Sequence, residues 1–95
     1  MDLQKIAGGI GCDIVTGTSA FAARTGKIYC IIPREANSGL TSIKEQRSTD
    51  LTVTVTSRSY IGTDTLLTTD MIFPDYPCTE ITPSAGSFMV FYAAL

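Results

Sequence analysis

Gly86-Ser-Phe-Met-Val-Phe-Tyr-Ala-Ala-Leu95 decides the fold of this chain. Side chains alternate across a β-strand, so Phe88, Val90 and Tyr92 point one way while Met89, Phe91 and Ala93 point the other. Both sets are apolar. A strand of a small β protein normally keeps polar residues on its outer face, and after Ser87 this one has none. It reads as a strand covered on both sides, with a second copy of the chain as the second cover. Phe88, Val90, Phe91 and Tyr92 are therefore the candidate core and subunit-interface residues.

Working back from that strand, Pro83-Ser84-Ala85-Gly86 reads as a turn and Cys78-Thr-Glu-Ile-Thr82 as a short edge strand. Pro74-Asp-Tyr-Pro77 is a loop, because two prolines leave little room for ladder bonding. In Leu66-Leu-Thr-Thr-Asp-Met-Ile-Phe73, Leu67, Met71 and Phe73 share one parity with Thr69. Leu51-Thr-Val-Thr-Val-Thr56 is the cleanest alternation in the chain, and β-branched residues from Thr52 to Thr56 argue against a helix. Leu40–Lys44 extends after an Ala36-Asn-Ser-Gly39 turn. Lys27-Ile-Tyr-Cys-Ile-Ile32 is a strand ended by Pro33, with Ile28, Cys30 and Ile32 on one face and Lys27, Tyr29 and Ile31 on the other. Cys12–Thr16 is a short strand, and 20–23 is ambiguous between helix and strand. Six or seven strands at this spacing predict an all-β fold, a small antiparallel sandwich or barrel of jelly-roll type.

The first eleven residues differ. Asp2-Leu-Gln-Lys-Ile-Ala7 is amphipathic but too short for an isolated helix, and Gly8, Gly9 and Gly11 release the backbone behind it. Residues 1–11 are read as a flexible attachment arm with Leu3 and Ile6 as its anchors, and 12–95 as a single β domain.

Length and composition narrow the function classes. A domain of 95 residues buries only about two thirds of the surface its unfolded chain exposes. Small scaffolds make up the difference with disulfides, metals or partner subunits. Three cysteines, 18 and 48 residues apart, and no histidine leave partner subunits as the natural support. No apolar run approaches the ~18 residues of a membrane span, and no signal-peptide core is present, so a soluble protein made in a cytoplasm is expected. Cations gather in residues 24–47 (Arg24, Lys27, Arg34, Lys44, Arg47), whereas residues 59–95 carry only the acids Asp64, Asp70, Asp75 and Glu80. Those stretches are expected to be solvated faces or to neutralise each other.

Without histidine, serine–histidine and cysteine–histidine catalysis are excluded. The cysteines lack the clustering of a zinc site, and Asp64, Asp70 and Asp75 lack the spacing of a calcium loop. Arg24, Lys27 and Arg34 around Tyr29 make a thin case for nucleic acid against an acidic total charge of −2. The expectation is a non-enzyme with no cofactor, no metal, no nucleic-acid partner and no membrane.

Several motifs fall in a familiar order: Thr16-Gly-Thr18, Gly26-Lys-Ile-Tyr-Cys-Ile-Ile32, Leu67-Thr-Thr-Asp70, then Ile81-Thr-Pro-Ser-Ala-Gly86 and an apolar strand reaching Tyr92. Across residues 16–95 this resembles the small virion proteins of tailed bacteriophages, of the head-fibre, capsid decoration or cement type. Pro74, Pro77 and Cys78 depart from that pattern, where a glycine-linked pair of strands is expected, and leave the register of 70–82 open. The resemblance implies a homo-oligomer, usually a trimer, assembled in the host cytoplasm and attached to the major capsid protein or another virion protein. A second expectation is a tail or baseplate module that recognises a host glycan or protein through Asp75 and Tyr76.

Overall fold

The computed structural model describes residues 11–24 and 26–93. Seven strands form one sheet: β1 (Cys12–Thr16), β2 (Phe21–Ala22), β3 (Lys27–Pro33), β4 (Gly39–Ser48), β5 (Leu51–Val55), β6 (Cys78–Ala85) and β7 (Ser87–Ala93). The order is β1-β7-β3-β6-β4-β5, every pair is antiparallel, and β2 joins β6 beside that path. The predicted all-β antiparallel class is what the chain adopts, as a half-barrel rather than two stacked sheets. Of the arm read over 1–11, only Gly11 is described, and its carbonyl accepts a bond from the Tyr92 N–H. Leu3 and Ile6 lie outside the described residues.

The sheet curls so far that β6 meets β4 along one edge and both β2 and β3 along the other. Its hollow is filled from every strand of the path: Val15, Ile28, Ile31, Leu40, Ile43, Val55, Ile81, Phe88, Val90 and Tyr92. The long connection between β5 and β6 completes the enclosure. It is pinned by single bridges, Leu40 to Ile61, Ser38 to Leu66 and Ile31 to Ile72, and sets Ile61, Leu66 and Ile72 into the core.

Three readings of the sequence are corrected. Cys78–Thr82 is no edge strand: β6 runs to Ala85 through the middle of the sheet and includes Pro83, which is fully buried. Register shifts on both sides of Leu40, the partner of Pro83, absorb the missing N–H. Residues 66–73 are not a strand, and it is Leu66 and Ile72 that are buried, leaving Leu67, Met71 and Phe73 exposed. In β3, a bulge between Ile28 and Cys30 breaks the alternation, so Ile28 and Ile31 both enter the core while Cys30 and Ile32 face out.

Gly86 is the tight joint between β6 and β7. It holds φ +74°, and a Cβ there would lie 2.8 Å from the Cβ and 2.9 Å from the Cα of Ser38. Ser38 is itself fixed, fully buried, bonded through its hydroxyl to the Glu35 carbonyl and through its backbone to Leu66 in both directions.

Candidate subunit interface

β7 has neighbours on both sides, β1 and β3, and its two faces meet different fates. Phe88, Val90 and Tyr92 point into the hollow, and none has any exposed surface. The chain covers them itself, so the expectation that a sister copy is needed there is corrected. A curled sheet with a long connection across its mouth encloses more apolar surface than a flat layer of the same length.

Tyr92 carries more than bulk. Its hydroxyl donates to Asp13 Oδ2 at 2.7 Å, and Arg24 Nε donates to the same oxygen at 2.8 Å. The Arg24 guanidinium also lies 5.3 Å from the centre of the Tyr92 ring. Burial, then the bond to Asp13, pushes the Tyr92 phenol up to about 12. Burial also acts to raise the Asp13 carboxyl, but the donors Tyr92 and Arg24 outweigh it and leave that carboxyl below its usual value. A phenol raised on folding stabilises the fold fully below its unfolded value near 10, and that contribution vanishes as pH climbs through about 12. Two pKa units correspond to about 2–3 kcal/mol. Cys78, which burial also pushes up to about 12, loses its contribution over a window that opens lower, from its ordinary value of 9. Urea midpoints measured at pH 8, 10 and 11.5 are therefore expected to fall steeply for the parent and less for Tyr92→Phe. The same fall in both proteins contradicts the assignment to Tyr92.

The outer face of β7 is the informative one. Phe91 lies opposite Cys12 of β1 and Cys30 of β3, and Met89 lies between Ile14 of β1 and Ile32 of β3. On the far side of β3, Ile31 and Ile72 exchange both backbone bonds, at 2.8 and 2.9 Å. That antiparallel bridge puts Phe73 level with Cys30 and Met71 level with Ile32 in register, flanking the buried Ile72. By register, two ranks of four apolar residues line up: Cys12–Phe91–Cys30–Phe73 and Ile14–Met89–Ile32–Met71. At about 4.8 Å between strands and roughly 7 Å between ranks, they tile about 14 by 7 Å, before side-chain width is added.

Phe91, in the middle, is 3% exposed among Cys12, Tyr29, Cys30, Ile32 and Met89. Three of the four ends are bare, Ile14 at 54%, Met71 at 59% and Phe73 at 57% exposed, while Cys12 is half-buried. A scattered exposed hydrophobe is ordinary, but three at the ends of two continuous apolar ranks make a patch. Thr16 and Ser87, paired one step further along, begin a polar border. Of the residues proposed from sequence, Phe91 alone belongs to this outer face. Met71, Phe73 and Ile14 escaped that reading because strand register, not local sequence, aligns them.

A polar centre occupies the other end of the sheet. Glu45 is fully buried, with Oε1 at 3.0 Å from Arg47 Nη2 and 3.3 Å from Arg58 Nη2. Arg58 also reaches Asp75 Oδ2 at 3.3 Å, and Arg47 sits 5.2 Å from the centre of the Tyr76 ring. Asp75 and Tyr76, the residues expected to greet a host glycan, are thus engaged by the chain's own arginines. Lys44 pairs with Glu80 at 3.6 Å, so part of the basic middle stretch is neutralised by the acidic end. Among the described residues, no three of the His, Cys, Asp and Glu side chains cluster closely enough to hold a metal ion. Comparison of the chain with protein-family models, with curated proteins and with solved structures gives no match.

Proposed function

We propose that this chain is a non-enzymatic structural protein of a tailed-bacteriophage virion, a capsid decoration, cement or head-fibre component that self-associates and attaches to the particle surface. The virion assignment rests on the motif order across residues 16–95, and self-association on the two apolar ranks of the outer face. That face is the single observation that carries the reading. Methionine, isoleucine and phenylalanine side chains gain on leaving water at roughly 1.5–3 kcal/mol each when fully covered, and a neutral array imposes no charge on what covers it.

The ranks are smaller than a whole interface. Specific contacts bury about 800 Å² on each partner, so the exposed Ile14, Met71 and Phe73 form the centre of a contact whose border is polar, with Phe91 already covered by its own chain beneath them. Phe88, Val90 and Tyr92 act behind it, anchoring β7 to the core from the inside. The trimeric count comes from the resemblance. Attachment to the particle is multivalent: several modest contacts, linked through the oligomer, add avidity that one copy lacks.

Light scattering coupled to size-exclusion chromatography tests the central claim. An oligomer at micromolar concentration is the expected result, and a monomer throughout that range refutes self-association. Electron microscopy of the phage particle, with and without this protein, tests attachment: density on the capsid surface is expected, and density confined to the tail moves the chain to the host-recognition class.

A further inference from the structure

β5 (Leu51–Val55) ends the sheet, and among the described residues β4 is its only strand partner. Alternate residues of an antiparallel edge turn their N–H and C=O groups away from the sheet, where they form a template for another strand. Natural edges block that template with charges, prolines or bulges. Leu51-Thr-Val-Thr-Val55 has no charge and no proline. Its ladder with β4 is regular from Ile43–Val55 to Gln46–Thr52, and the one register shift falls next to the turn. The opposite edge, β1, differs: it carries Asp13, tied to Arg24 and Tyr92.

The side chains of β5 show the same shortfall. Leu51 and Val53 share the parity of Val55, which is buried in the core. Yet Leu51 is 50% exposed and Val53 only half-buried. Free backbone groups and under-covered apolar side chains coincide on one strand. A further strand, laid beside β5 with its apolar residues on the core side, would satisfy both.

We propose that this strand is β5 of a second copy, paired antiparallel about a two-fold axis through Val53. The segment is close to its own reverse. In that register Leu51 lies opposite Val55, Thr52 opposite Thr54, and Val53 opposite Val53 of the partner subunit. No charge meets a like charge, the apolar members continue the core across the join, and the threonines pair on the outside, where hydroxyl pairs favour a sheet. Ten residues of edge bury less than a lone stable dimer needs, so the pairing is weak between free monomers and strong between copies already held together. It uses a surface separate from the outer-face ranks and stands or falls without them.

The test is a charge swap in a Met71→Asp/Phe73→Asp background, where the outer face is disabled and edge pairing is read by itself. One protein carries Thr52→Lys and Thr54→Lys, another Thr52→Glu and Thr54→Glu. All these threonines are exposed, so the fold tolerates the changes, and circular dichroism verifies it. By light scattering up to millimolar concentration, the background is expected to dimerise, each charged variant alone to associate at least tenfold more weakly, and their mixture to recover or exceed the background. A background that stays monomeric, charged variants that dimerise like it, or a mixture without recovery each overturns the proposal.

Discussion

A Gly86→Ala protein is expected to be about 3 kcal/mol less stable than the parent, against about 1 kcal/mol for Gly62→Ala. Both glycines hold left-handed backbone, φ +74° and +86°, where an L side chain costs roughly 1–2 kcal/mol. They differ in what surrounds them. Nothing lies within 4 Å of a Cβ at Gly62, whereas at Gly86 the new methyl is driven against the Cα and Cβ of Ser38. Overpacking of that kind costs a further 1–3 kcal/mol. Ser38 has no slack to give, because its backbone is bonded to Leu66 and its hydroxyl to Glu35. A domain of this length has only about 5–10 kcal/mol in all, so Gly86→Ala removes a large part of it. Urea denaturation reads the difference directly: with a slope of about 1–1.5 kcal/mol per molar, the midpoint moves down by roughly 2 M or more. Equal losses at the two glycines would show that β6 and β7 do not press on Ser38.

Met71→Asp combined with Phe73→Asp is expected to have the largest effect on assembly and almost none on the fold. Both side chains are more than half exposed, and surface substitutions of that kind usually stay within about 0.5 kcal/mol. In an assembly, the same two positions are covered, and each aspartate must then be buried without a partner or kept wet by separation. Self-association is expected to weaken at least 100-fold, turning the oligomer to monomer at micromolar concentration. Leu67→Asp is the control: Leu67 is 48% exposed but lies outside both ranks, and its replacement is expected to leave the mass unchanged. Should the double variant assemble like the parent, the outer face is not where copies meet.

How much of this was legible in the sequence depends on how local each signal is. The alternation of β7 and β5 is written in adjacent residues, and both strands lie where the pattern puts them. The split of β7 into Phe88, Val90 and Tyr92 against Met89 and Phe91 is likewise a matter of parity. The bulge after Ile28 is not: it is a shift in register against β7, a strand more than fifty residues further along the chain. Pro83 argued for a turn by its own chemistry, and only the shifted register of β4 lets it stay in a central strand. Leu67, Met71 and Phe73 share a parity in the sequence, but nothing nearby says which parity is buried. The apolar ranks are the least local feature of all. Ile14 and Met89 are 75 positions apart, and the far end of the row depends on one bridge at Ile72.

The place of β7 between β1 and β3 also governs how the molecule comes into being. During synthesis β1 and β3 emerge early, yet each must wait for the same late strand before its ladder can close. Until then their greasy residues have no native cover and are open to chaperones or to neighbouring chains. Contacts that span most of a chain close slowly, on the millisecond-to-second scale of β proteins. Closure of the ladders on either side of β7 thus follows the arrival of that one late segment.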